Sequence, residues 1–204
     1  MKKSILTLAL AALGLFAVAT PPGKKGESLK VNAKESTAKW HAKKVTGEHF
    51  GTVQLSTGEI LVDGNNLTGG FVNINMSSID VTDLTGEWKD KLVGHLNSDD
   101  FFSTAKHNTA VLKIKKATPT GAKASEGKNN YTVVADLTVK GITKEITFPA
   151  MVVITKGKVI ANADFNIDRT LYDIKYGSKS FFAEIGDKAI DNEFNVKVRI
   201  IAQN

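Results

Sequence analysis

Cysteine is absent from the 204 residues, so no disulfide framework and no thiolate site can hold this chain together. Arginine is almost absent too, at Arg169 and Arg199 alone. Readers of nucleic acid lean on clustered arginine, so that class is set aside although the formal charge is +6. Four histidines occur, His41, His49, His95 and His107, and none stands in an HxH or HExxH spacing. A metal centre is therefore not expected. The chain also lacks a GxSxG elbow, a glycine-rich phosphate loop, a heptad pattern and an internal repeat. Its single long apolar run, Ile5 to Val18, is shorter than the roughly 18–20 residues that cross a bilayer.

That run reads as an export signal. Lys2 and Lys3 precede it, and Ala17-Val18-Ala19 offers a small-x-small cleavage pattern. Removal of residues 1–19 leaves 204 − 19 = 185 residues with a charge of 25 − 21 = +4. No cysteine follows the run, so a lipidated terminus is excluded, and a periplasmic or secreted destination is expected. Residues 20–28, rich in proline, glycine and lysine, are expected to form a disordered lead. Residues 29–203 remain as one domain, long enough to bury about 70% of its unfolded surface without covalent help. Basic residues such as Lys113, Lys156, Lys158 and Lys197 are spread evenly, which suits a solvated face in transient contact with an anionic membrane surface.

Period-two alternation dominates the domain. Tyr131, Val133, Ala135, Leu137 and Val139 share one parity; Val159, Ala161, Ala163, Phe165 and Ile167 repeat the pattern, as do Phe194, Val196, Val198, Ile200 and Ala202. Shorter runs surround Trp40, Ile74 and Leu112. Each run has an apolar and a largely polar face, as half-buried strands require. Asp63-Gly64, Gly69-Gly70, Gly141 and a long polar loop from Thr118 to Asn130 punctuate them. Between Thr85 and Leu96, Trp88, Leu92, His95 and Leu96 fall at helical spacing, with Thr85 as cap. The expected fold is all-β: about eight antiparallel strands in an up-and-down, lipocalin-like barrel with one short helix or crossover. Small inward residues, Ala135, Ala161, Ala163 and Ala202, suit either an internal cavity or a tightly filled core.

Five segments in register resemble the YceI-like family of bacterial periplasmic proteins. They are Trp40-His41-Ala42-Lys43-Lys44 leading into Gly47-Glu48-His49-Phe50-Gly51, the strand Val72 to Ile79, His95 to Phe102, Leu137 to Lys144, and Phe165 to Arg169. The resemblance spans nearly all of 29–203 and implies an extended barrel with an elongated pocket for an isoprenoid lipid, a quinone or a fatty amide. It carries over no catalytic motif, so no enzyme activity and no covalent cofactor are expected. On that basis Trp40, Ile74, Met76, Leu137, Val139, Phe165, Ile167, Val196 and Val198 are candidates for the pocket wall, and Phe101, Phe102 and Phe181 for a lid or portal. Arg169, at a strand end beside Asp168, either forks onto a ligand head group or forms a rim salt bridge. The expected role is a carrier, buffer or sensor. A quinone-linked redox accessory and a ligand-free stress or structural protein are the alternatives, and the oligomeric state, a dimer included, stays open.

Overall fold

The computed structural model describes residues 26–124 and 128–204. The signal peptide expected at 1–19 and the lead up to residue 25 lie outside them. Strands run at β1 Glu27–Val31, β2 Thr37–Lys44, β3 Gly47–Asp63, β4 Asn66–Val81, β5 Thr109–Pro119, β6 Tyr131–Val139, β7 Ile142–Thr155, β8 Lys158–Asp168 and β9 Ile190–Gln203, with helix α1 at Gly86–Asn97. From β2 onward each strand pairs antiparallel with the next, and β9 returns to pair with β2 from Thr37↔Arg199 to Ala42↔Phe194. This closes the expected eight-staved meander.

One expectation about the first stave needs correction. The lead does not extend to residue 28, because Glu27 and Ser28 already belong to β1, a short strand that shares a stave with β2. Five residues with Leu29 and Val31 as their only large apolar side chains give too short an alternation to recognise. β1 is the outer half of the same stave as β2. It pairs with the far half of β3 (Leu29↔Ile60) and with the end of β9 (Val31↔Ala202). Nine residue steps from Leu29 to Ala38 oppose seven from Ile60 to Val53, so two extra residues bulge out between the halves. Asn32 shapes that bulge by accepting from the Lys34 and Glu35 amides, and Ser36 Oγ accepts from the Ile201 amide at 2.9 Å.

The barrel has two unlike ends. The hairpin end, with the β3–β4, β5–β6 and β7–β8 turns, packs Leu29, Val62 and Ala202 at no more than 1% exposed. Tyr131 closes it, its hydroxyl donating to Asn65 O and accepting from the Leu67 amide, each at 3.3 Å. The helix end gathers Trp40, Met76, Leu96, Phe101, Leu137, Tyr172 and Ile174 into a second cluster. α1 begins directly after Thr85, which occupies the expected cap position without a side-chain capping bond. The helix is held against β4 by Lys89 Nζ, 2.9 Å from Asp80. Its expected apolar stripe is only partly used, since Leu96 is buried while Trp88 stands 71% exposed.

All five segments that carry the family resemblance meet at or run into this helix end. The Lys140-Gly141 turn has left-handed φ at both residues, 52° and 76°. From it Lys140 Nζ reaches the carbonyls of Asp99 (3.0 Å) and Asp173 (3.3 Å), tying two loops to the β6–β7 hairpin. Trp40 lies opposite Gly51 across the β2–β3 ladder, its ring against the glycine backbone. A Cβ on Gly51 would sit 2.4 Å from the indole and 1.9 Å from Asp80 O. Gly51→Ala is therefore expected to cost about 3 kcal/mol, lowering Tm by roughly 6–12 °C in a calorimetric scan, whereas Gly64→Ala, with open space around it, loses only the smaller cost of its left-handed φ.

Candidate binding site

Inward side chains decide what a barrel can hold. Here they leave a cavity of about 220 Å³ along the axis. Its wall extends on β9 from Ile190 to Ile200, about 33 Å of extended strand. The lining is carbon except at Asn162, Arg169 and Asp191. Every expected wall residue borders it: Trp40, Ile74, Met76, Leu137, Val139, Phe165, Ile167, Val196 and Val198. Phe101 and Phe102, from the turns after α1, border it at the helix end. Of the four alanines expected to leave room, Ala161 and Ala163 face the cavity, while Ala135 and Ala202 lie fully buried and do not line it.

Phe181 is a correction. It follows the Ser178 turn on the outer surface, 48% exposed, with Lys175 Nζ 5.2 Å from the centre of its ring, and does not line the cavity. The structure adds wall residues that the alternation did not single out: Val53, Leu55 and Ile60 of β3, Ile79 of β4, and Phe148, Ala150 and Val152 of β7. In β3 and β4 register shifts move the inward face from one parity to the other, as between Leu55 and Ile60. In β7 the three share one parity, so plain alternation is a signal that could have found them.

The wall is not continuous at the helix end. The β7–β8 ladder stops at Ala150↔Ala163. Pro149, which has no amide hydrogen to donate, sits at the break. Beyond it Phe148 and Phe165 stack with centroids 4.3 Å apart, closing the wall with rings where the ladder has ended. The 3-10 turn Arg169–Tyr172 packs there, against β7 and β9, and begins the irregular segment that leads to β9.

Arg169 organises that segment, in neither of the two ways expected. It is 3% exposed and meets no carboxylate in a salt bridge. Nε donates to Asp191 O (3.0 Å), one terminal nitrogen donates to Ile174 O (2.7 Å) and Tyr176 O (2.8 Å), and the other donates to Ile190 O (3.1 Å). Four of the five N–H donors are thus taken by backbone carbonyls, leaving no fork for a ligand head group. Burial lowers its pKa, opposed by the charges of Asp168 and Asp191. Asp168 turns away to accept from the Thr170 amide and hydroxyl at 2.8 and 2.6 Å.

Tyr172, the fully buried last residue of the 3-10 turn, has a hydroxyl with no hydrogen-bond partner among the described residues, and burial pushes its pKa up to about 12. Among the described residues no group of three acidic, histidine or cysteine side chains is placed to hold a metal.

Known proteins share this architecture. The family model for the YceI-like domain matches residues 29–202. The UPF0312 protein VPA0850 of Vibrio parahaemolyticus is 28% identical over 153 residues, 74% of each chain. Among solved structures, BcnA of Burkholderia cenocepacia superposes with a TM-score of 0.67 at 18% identity, covering 85% of this chain and 99% of that one. A polyisoprenoid binding domain from Saccharophagus degradans, implicated in plant cell wall breakdown, gives 0.59 at 16% identity, covering 85% and 97%. At these identities the solved structures speak to fold alone.

Two substitutions should move stability in opposite directions. Arg169→Met strands four buried carbonyls and is expected to cost at least about 3 kcal/mol, with Arg169→Lys recovering only part; thermal melting and protease nicking between 170 and 189 read both. Tyr172→Phe removes an unpartnered hydroxyl and is expected to raise Tm at neutral pH. Because the folded phenol titrates above its unfolded value of about 10, its stabilising contribution is complete below that pH and fades as pH rises toward 12. The phenylalanine variant should lack that part of the alkaline loss.

Proposed function

The chain belongs to the YceI-like domain family, and from that premise we propose that it holds a long apolar small molecule, of the isoprenoid-lipid, quinone or fatty-amide type, inside its barrel. The observation that carries this reading is the axial cavity walled by carbon, with Arg169, the one cation bordering it among the described residues, giving four of its five donors to the backbone. Such a wall rewards length. Burial is worth about 0.8 kcal/mol per methylene, so a dozen carbons supply roughly 10 kcal/mol before the ordering of the tail and the loss of free motion are subtracted. The protein then acts as a carrier, buffer or sensor that leaves its ligand chemically unchanged and non-covalently held.

Export past the inner membrane, with cleavage near Ala19, would put the barrel where such lipids must cross water. The helix end is the side suited to loading. Leu171, Tyr176, Phe181 and Phe182 expose apolar surface there beside Lys175 and Lys179, a combination that favours transient contact with an anionic bilayer.

Native mass spectrometry of protein expressed with its export signal, followed by solvent extraction, is expected to show an adduct that extracts as an apolar lipid. Adding that lipid at a hundred times its Kd should stabilise the fold by about 2.7 kcal/mol, and Ala163→Phe, which fills the cavity, should abolish most of the shift. A clean apoprotein whose Tm no polyprenyl, quinone or fatty-amide lipid raises would sink the proposal and favour the ligand-free reading.

A further inference from the structure

Neighbouring staves of a barrel hold each other by a ladder of hydrogen bonds along their shared length. β7 and β8 do so only from Thr155↔Lys158 to Ala150↔Ala163. Both then run on toward the helix end. There β7 stays on the β6 ladder from Pro149 to Ile142, and β8 stays on the β9 ladder from Asp164 to Asp168, with no pair between the two. Five residues of β8 make this seam about 17 Å long. The polar side chains beside it bond away from it. Asn166 donates to Glu193 and Asn195 donates to Asp164 on one side, while Lys115 donates to Glu145 and Thr143 pairs with Thr138 on the other. Among the described residues no side-chain hydrogen bond or ion pair crosses the seam.

The β4–β5 seam parts as well, and the contrast is informative. Beyond Gly70↔Ile114 the Tyr131 hydroxyl ties Asn65 and Leu67 to β6, and at the other end α1 packs on β4 before β5 begins at Thr109. The β7–β8 seam has only rings to close it. Phe148 and Phe165 stack across it at 4.3 Å, and both border the cavity. Separating two ring faces breaks no hydrogen bond, whereas opening a paired seam breaks several. One side chain also marks the seam as open to water. Lys144 lies opposite Leu137 in the β6–β7 ladder and so takes an inward position, and Leu137 borders the cavity. Yet Lys144 is exposed, while Ile142, two residues nearer the strand end, is half-buried. A lysine in an inward position reaches water only where the wall beside it lets the ammonium out.

We propose that this seam is the portal of the barrel: an apolar chain enters and leaves the cavity sideways, between β7 and β8, with the stacked rings of Phe148 and Phe165 as its gate. This rests on the cavity reading of the preceding section and adds the route by which the cavity is filled. The 3-10 turn Arg169–Tyr172 packs on β7 and β9 beside the gate and exposes Leu171, apolar surface for a chain arriving there. A gate governs the rates in both directions and leaves affinity alone, which distinguishes it from an ordinary wall contact.

The chain has no cysteine, so Thr147→Cys with Asn166→Cys supplies the only two thiols. Both positions are exposed, and they would lie opposite each other if the ladder continued. A two-carbon bis-methanethiosulfonate joins them across the seam, and a reductant releases them. Trp40 borders the cavity, and Trp88→Phe on the exposed face of α1 leaves it as the single tryptophan. Its quenching by 11-bromo-1-undecanol, followed by stopped flow, then reports entry and release. The crosslink is expected to slow both about tenfold or more with Kd within about twofold, and reduction to restore them. Rates unchanged by the crosslink, or a Kd weakened as far as entry is slowed, overturn the portal and leave the cavity reading standing. Should the crosslink not form, Phe165→Leu decides: both rates are expected to rise about threefold with a smaller change in Kd, and unchanged rates overturn the proposal. No quenching of Trp40 in the uncrosslinked protein overturns portal and cavity together.

Discussion

Everything in this molecule depends on the β2–β9 ladder, because that ladder turns a sheet into a container. Six pairs from Thr37↔Arg199 to Ala42↔Phe194 join the beginning of the domain to its end. Without them the sheet would expose two edges and the inward faces of β2 and β9 would meet water. The stave that makes this closure is the broken one, with β1 sealing the hairpin end and β2 the helix end. The bulge between them lets a single stave satisfy β3, whose own register shifts, and β9, which runs unbroken to the C-terminal end. Closure comes from the first and last segments of the domain, so contacts of the longest sequence separation must form before the inside exists.

The inward faces are not filled alike. Leu29, Val62 and Ala202 are packed off the cavity at the hairpin end. Along the cavity the same alternation is kept while Ala42, Ala110, Ala161 and Ala163 hold the walls back. Empty volume is expensive: at about 24 cal/mol per Å³ a void of this size forgoes roughly 5 kcal/mol, comparable with the whole net stability of many domains. A chain that occupied it would restore much of that. Tyr131, its hydroxyl bonded on both sides to the β3–β4 turn region, closes the barrel at the hairpin end.

How much of this is legible in the sequence depends on whether a strand runs straight. β6, β8 and β9 keep one parity from end to end, and their inward residues follow from the alternation alone. β3 and β4 are the longest strands, yet they are the faintest in sequence, because each register shift exchanges the inward and outward faces. The wall is therefore built from eight staves but can be named from fewer, and Val53, Leu55 and Ile60 escape the pattern. Polar roles are harder. A guanidinium beside an aspartate suggests a charged partner, whereas the partners of Arg169 are main-chain oxygens that every residue carries and no sequence marks. Phe181 resembles the portal phenylalanines in type, and only its position after the Ser178 turn puts it outside.

The absence of cysteine and the fate of Arg169 are two sides of one requirement. Between β8 and β9 the chain travels through a 3-10 turn, irregular backbone and a second short turn at Gly186–Lys188 before the barrel resumes. In many small domains a disulfide staples such a segment. Here a single buried guanidinium does it, drawing Ile174 and Tyr176 of the segment to Ile190 and Asp191 at the root of β9. Ser178 reinforces the link through Asn192 at 2.6 Å. A planar donor fork spans four carbonyls where an ammonium could not. With four of its five donors spent on the backbone, the guanidinium keeps its charge, set against those of Asp168 and Asp191, but offers no fork to an anion, and the surface left to the interior is carbon. The group that holds the segment in place is thus withheld from the cavity it borders.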